Sequence, residues 1–147
     1  MVEVVVDSNV ILSALFFGDK YSMILLQKEA ERKIRFVFNK EMKQELNMKF
    51  VVFLSQYGAD MGKVKRLTDK LSSILSRSKE VGHKTYSNLC AEDRSDNKFI
   101  DCAIDSNSRF IITKDSDLSG LEGIIRNKYK HTVRILSPYQ FITEYFR

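Results

Sequence analysis

The sequence predicts an α/β fold: a mostly parallel sheet of four to five strands held between helical layers in a three-layer α/β/α arrangement. Three observations carry this reading. Short runs rich in β-branched residues alternate with stretches of helical periodicity, the pattern of parallel strands joined by crossover helices. The first strand candidate, Val2 to Val6, is rich in β-branched residues, as strands covered on both faces are. With 147 residues and 44% apolar content, the chain has room for one sizeable core, and 1–147 reads as a single domain.

The elements follow in order. Val2 to Val6 is a buried strand. Val10 to Phe17 and Ser22 to Arg32 are helices, with Gly18 as the break between them. Ile34 to Phe38 is the second strand, and Asn39 then caps a helix running from Lys40 towards Leu54 that Gly58 ends. Met61, Val64, Leu67, Leu71, Ile74 and Leu75 fall mostly three and four apart, which predicts an amphipathic helix. From Ser78 to Ser95 the pattern fades and leaves one short strand around Val81. Phe99, Ile100, Ala103 and Ile104 restore a helical face; Arg109 to Thr113 and Thr132 to Leu136 are strands, and Pro138 to Tyr145 is a closing helix. No internal repeat, low-complexity segment or linker interrupts the series.

Several classes are disfavoured. Glu3 and Asp7 stand where the basic start of a signal peptide belongs, and no small-residue cleavage site follows. No stretch approaches the roughly 18 uncharged apolar residues of a membrane span, so no membrane partner is expected. Cys90 and Cys102 have neither CxxC nor zinc-ligand spacing, and only His83 and His131 are available to help them. A reduced, cytoplasmic chain without a zinc site is the expectation.

The acids carry the functional signal. Asp7 follows the first strand and therefore lies at the carboxyl edge of the sheet, where open α/β sheets bind their ligands. Asp96 opens the helix marked by Phe99, Ile100 and Ala103, and Asp115 and Asp117 come just after the strand that ends at Thr113. Glu45 lies beside the Met42 and Leu46 stripe of its helix, whereas Glu41 points further away. Each has a plainer alternative: Asp7 as a helix cap, Asp96 as a first-turn acid favoured by the helix dipole, Glu45 as a solvated helix residue, Asp115 and Asp117 as turn residues. Only as a set do they point to a site. Asp101 and Asp105 read as the solvated face of their helix, His83 and His131 as surface or satisfied histidines, and Cys102 as a small core residue.

Gathered carboxylates repel, by ~4 kcal/mol for a pair 4 Å apart at an effective dielectric of 20, and so recruit a cation or take up protons. Oxygen donors without His or Cys suit Mg²⁺ or Mn²⁺. Such an ion lowers the pKa of a bound water and steadies charge on a phosphoryl oxygen, which is what phosphodiester hydrolysis needs. Ser8, Asn9 and Thr113 are short polar side chains placed to orient the carboxylates.

"VVVDSNVILSAL", "EMKQEL", "DRSDNKFIDCA" and "FIITKDSDL" together resemble the PIN-domain family, the metal-dependent ribonuclease fold of the VapC-like toxins, and "RILSPYQFI" is similar to the tail of its toxin subfamily. The resemblance spans almost the whole chain and is weakest between Phe50 and Asn88. It implies strand order 3-2-1-4-5. It also implies that Asp7, Glu45, Asp96 and Asp115 are catalytic metal-holding acids with Asp117 accessory, that RNA is the substrate, and that a homodimer and a small antitoxin are partners. Arg94 departs from the pattern, which often has Pro there, and this clouds Asp93 more than Asp96. Phe16, Phe17, Met23 and Leu26 are candidate partner contacts, and core burial explains them equally well.

Charge adds a separate clue. The chain has 24 Lys and Arg against 19 Asp and Glu, a net +5; with the four principal acids set aside the balance is 24 against 15, or +9. A positive body around an anionic pocket suits a polyanion. Basic residues gather in Lys63 to Lys70, with Lys63, Lys65 and Arg66, and in a surface loop from Arg126 to His131, with Lys128, Lys130 and a stackable Tyr129. Three further readings stand beside a metal-dependent endoribonuclease: a degenerate fold that only binds RNA or protein; a haloacid-dehalogenase-like phosphatase, which needs Asp-x-Asp where this chain has Asp7-Ser8-Asn9; and a response-regulator receiver, which needs an extra acidic pair near the first strand and a phosphoacceptor Asp after a middle strand, neither of which is found.

Overall fold

Five strands, β1 (Val2–Val6), β2 (Ile34–Phe38), β3 (Lys79–Glu80), β4 (Phe110–Ile112) and β5 (Arg134–Leu136), form one sheet in the order β3-β2-β1-β4-β5. All four pairings are parallel, so Val4 and Val6 stand opposite Phe110 and Ile112 while Val5 meets Val37. The structure is a computed structural model that describes residues 1–90 and 93–146, without the side chains at 116 and 117. Its seven α-helices among those residues are α1 (Ser8–Phe17), α2 (Lys20–Ala30), α3 (Lys40–Tyr57), α4 (Met61–Arg77), α5 (Asn97–Ser106), α6 (Glu122–Tyr129) and α7 (Pro138–Tyr145).

The layers follow from burial. Val4, Val5, Val6, Phe36, Val37, Ile111 and Ile112 are sealed from water, and each such side chain contributes ~1.5–3 kcal/mol. α3 and α5 pack together, α5 across β1, β2 and β4; α2 and α7 pack together, α2 on β2 and α7 on β5. The Glu29 carboxylate, 2% exposed, takes both forks of the Arg77 guanidinium at 2.8 Å and ties α2 to α4. Among the described residues no single helix is long and apolar enough to cross a membrane.

Local chemistry sets most boundaries. Asp7, Asp19, Asn39 and Asp60 each cap a helix by accepting a backbone N–H. Ser137 and Gln140 form a capping box around Pro138. Gly18 ends α1 at φ 63°, where a side chain would be strained.

Four expectations are corrected. The third strand lies at Lys79–Glu80 rather than around Val81, although the Val81 N–H extends the ladder to the Phe38 carbonyl at 2.9 Å. Its charged, exposed side chains suit a sheet edge. The last strand begins at Arg134, not Thr132, and the segment expected as a loop from Arg126 lies largely in α6, ended by Lys130 at φ 54°. Asp101 and Asp105 are not a solvated face. Asp101 is 2% exposed, accepts from the Ser87 N–H and meets His83, while Asp105 accepts from the N–H groups of Lys84 and Thr85 and from the Thr85 hydroxyl. The chain from Gly82 to Cys90 has no regular structure of its own, so its polar backbone groups turn to α5.

Candidate functional site

Asp7 occupies the point where β1 gives way to α1. Its backbone N–H continues the ladder to the Ile112 carbonyl at 2.9 Å, and one carboxylate oxygen caps α1 through the Asn9 N–H at 3.0 Å. The other oxygen accepts from the Thr113 hydroxyl at 2.9 Å, and that hydroxyl oxygen also receives the Asp115 N–H at 3.1 Å. Thr113 therefore links the ends of β1 and β4 and sets Asp115 beside Asp7. Burial raises the Asp7 pKa; the Asn9 and Thr113 hydrogen bonds and Lys49 oppose this, and the Glu45 charge reinforces it.

Asp96 comes from the short 3₁₀ turn Arg94–Asp96 that leads into α5, and its side chain makes no capping bond. Its carboxyl is pushed up to about 6, first by burial and then by the charges of Asp93, Asp7 and Asp115, against a smaller pull from Lys98. Asp96 thus faces the negative charges of Asp7 and Asp115, which follow the neighbouring strands β1 and β4. The Asp117 side chain lies outside the described residues.

Glu45 is held differently. One oxygen accepts from the Ser8 hydroxyl at 3.0 Å; the other lies 3.0 Å from Lys98 Nζ and 3.6 Å from Lys49 Nζ. Lys98 is almost buried, and its ammonium also donates to the Ser95 carbonyl and lies 4.7 Å from the centre of the Phe99 ring. Asn39, fully buried, fixes this corner: its amide donates to the Lys98 carbonyl at 3.1 Å while its oxygen caps α3 at Met42.

Among the described residues no three His, Cys, Asp or Glu side chains are grouped closely enough to hold a metal ion in this arrangement. The donor chemistry nevertheless fits a hard cation. Asp7 and Asp96 resist ionising first because they are buried and then because of neighbouring carboxylates, Glu45 for Asp7 and Asp93, Asp7 and Asp115 for Asp96, and they bring oxygen donors alone. Glu45, in contrast, already has ammonium partners.

Of the orienting residues, Ser8 and Thr113 reach Glu45 and Asp7. The Asn9 side chain is exposed and accepts from Lys49 Nζ at 3.3 Å; only its backbone N–H serves Asp7. Glu41 turns to His83. The predicted basic residues are not linked to these acids by any ion pair among the described residues. Lys63 donates to the Tyr57 carbonyl, Lys65 pairs with Asp69 at 3.1 Å, and Lys128 lies 5.5 Å from the centre of the Tyr129 ring. Arg66 and Lys130 are exposed. Among the described residues, Glu45 pairs with Lys49 and Lys98, both missed in the sequence reading. Lys49 is legible in hindsight, four residues after Glu45 on one helix face; a lysine as buried as Lys98 has no such signal.

A family model described as "PIN domain" matches residues 3–117. By sequence, no curated protein matches the chain. Two solved structures are similar in fold. VapBC2 from Rickettsia felis, crystallised with a DNA fragment from its promoter, aligns with a TM-score of 0.55 and 14% identity over 92% of this chain and 98% of that one. PAE2754 from Pyrobaculum aerophilum aligns with a TM-score of 0.61 and 12% identity, covering 97% and 88%.

Proposed function

The chain belongs to the PIN-domain family, and from that premise we propose that it is a Mg²⁺- or Mn²⁺-dependent endoribonuclease serving as the toxin of a toxin-antitoxin pair. The observation that supports the reading is the Thr113 hydroxyl, which holds Asp7 and the Asp115 backbone together at the edge where β1 and β4 are neighbours, with Asp96 at the start of α5, which packs on both strands. These acids, with Glu45 and an accessory Asp117, would hold the ion, which when bound supplies a water of lowered pKa and positive charge beside the scissile phosphate.

The chain's own residues do the rest. Thr113 holds Asp7 and the Asp115 backbone in one constellation, Ser8 aims Glu45, and Asn39 locks the start of α5 to α3. Lys49 and Lys98 bring positive charge to the edge that a phosphodiester must approach.

The toxin role draws on the fold shared with VapBC2. A groove of about 400 Å³ between α1, α2 and α4, lined by Ala14, Leu15, Met23, Leu26 and Ile74, offers an antitoxin an apolar seat, with Met23 half exposed. Phe17, also exposed, packs its ring on Phe53 and Tyr57 instead. A homodimer in a cytoplasmic setting completes the proposal.

Calorimetric titration with Mn²⁺ and cleavage of a labelled RNA test it, comparing the natural protein with Asp7→Asn. Metal binding and cleavage that are both lost in the variant support the nuclease. RNA binding that persists in chelator, with no cleavage products in Mn²⁺, would instead establish a non-catalytic binding module.

A further inference from the structure

We infer that Tyr86 is the floor of a nucleobase subsite beside the acids, where one base of the RNA stacks while Arg94 meets the neighbouring phosphate. This rests on the RNA substrate proposed above and adds where and how that substrate is gripped. Tyr86 is the most exposed aromatic residue among those described, at 64%. The other exposed rings, Phe17, Tyr57, Tyr139 and Tyr145, each pack against an aromatic ring of the core or of a neighbouring helix. Tyr86 stacks on the His83 imidazole alone, with centroids 4.2 Å apart and planes 15° from parallel. Its other face is turned to solvent, an open π surface of the kind that single-stranded nucleic acids use.

The platform is rigid although it lies in a segment without regular structure. His83 is held at both nitrogens, by Glu41 at 2.6 Å and by Asp101 at 2.8 Å, so the ring beneath Tyr86 is anchored to α3 and α5 together. On either side of Tyr86 the backbone is pinned to α5: Asp105 receives the N–H groups of Lys84 and Thr85, Asp101 that of Ser87, and Asn97 that of Cys90. A base arriving there meets a surface whose ordering cost is already met by the fold.

The surroundings fit one nucleotide. A cavity of about 270 Å³ is lined by Tyr86, Asn88, Arg94 and Lys98, together with the Glu41 and Asp101 carboxylates that hold His83, and one of about 380 Å³ shares Asn88, Arg94 and Asn97 with it. Lys98, one of the lining residues of the smaller cavity, pairs through Nζ with Glu45 at 3.0 Å, so that cavity borders the proposed acids. Asn88, exposed beside Tyr86, carries an amide of the type that reads base edges. Arg94 is exposed at the turn that carries Asp96, the place for a flanking phosphate.

The test measures binding of a short, labelled, single-stranded oligoribonucleotide to the whole protein in chelator, where cleavage does not intervene. Tyr86→Ala should weaken binding between about fivefold and about 150-fold, which corresponds to ~1–3 kcal/mol for one base stacked on an aromatic ring. Tyr86→Phe should keep the affinity, and the salt dependence of binding should be the same in Tyr86→Ala as in the natural protein, because no charge is lost. Arg94→Gln should reduce the salt slope by about 0.7. An abasic oligomer of equal charge should bind the natural protein and Tyr86→Ala alike. Equal affinity in Tyr86→Ala, or equal loss in Tyr86→Phe, overturns the subsite. Parallel cleavage in Mn²⁺ separates this from the larger reading: a natural protein that cleaves RNA without needing Tyr86 refutes only the subsite, and one that binds through Tyr86 without cleaving refutes only the nuclease. Failure to bind or cleave RNA at all refutes both.

Discussion

Replacing Asp96 by Asn keeps the shape of the side chain and removes its charge, and the structure predicts a more stable protein. Asp96 has no capping hydrogen bond to lose. Its pKa stands at about 6 in the fold against 3.8 ordinarily. A carboxyl whose folded pKa is raised binds its proton more tightly when folded, so its ionisation costs stability as pH rises from about 3.8 to about 6. That interval corresponds to about 3 kcal/mol, and solvent screening of a partly open site reduces it to ~1–2 kcal/mol. Near neutral pH in chelator, Asp96→Asn should therefore melt about 2–8 °C above the natural protein, with the difference vanishing below about pH 4. Mn²⁺ should reverse the order: a ligand at 100 times its Kd adds ~2.7 kcal/mol, and the natural protein should gain most of it while the variant gains little. Thermal denaturation across pH, with and without Mn²⁺, reads both effects. A variant that melts at or below the natural protein in neutral chelator would refute the cost that burial and the neighbouring acids place on the ionised Asp96, and full cleavage by it would remove Asp96 from the proposed site.

Two other outcomes follow from the same edge. Lys98 Nζ lies 3.0 Å from a Glu45 oxygen, so it competes with any cation for that carboxylate. Lys98→Met should tighten Mn²⁺ binding at least about tenfold, ~1.4 kcal/mol, as measured by calorimetry, and unchanged or weaker binding would show that Lys98 supports the metal site rather than opposing it. His83 has its pKa raised: burial pulls it down, but the Asp101 and Glu41 hydrogen bonds and charges outweigh that pull. The stability this contributes is complete below about pH 6.5 and is lost as pH rises through the higher folded value. His83→Gln should flatten that part of the stability curve in urea titrations, and an identical pH profile would show that the bridge carries no net energy.

Much of the fold was legible because it rests on local rules. β-branched runs of the right length are buried strands wherever they fall, and Asn39, Gly18, Gly58 and Pro138 act through backbone conformations and caps that need only neighbouring residues. The positions of Asp7 and Asp115 after their strands were equally readable, since a parallel sheet sends every strand's carboxyl end to the same edge.

The rest belongs to tertiary structure. β3 carries only Lys79 and Glu80, a pair without strand character, and is a strand because Val37 and Phe38 offer it a ladder. Asp101 and Asp105 lie on a helix face that periodicity assigns to water; they are covered because the chain from Gly82 to Cys90 crosses α5 and needs acceptors for its N–H groups. Lys98 is buried because Glu45 arrives from another helix to neutralise it, a pairing across 53 residues that no spacing rule encodes. What the sequence determined alone were the interactions whose partners lie within a turn or a strand of one another. What only the folded chain decided were the desolvated charges, because the cost of burying a charge depends on every group brought around it.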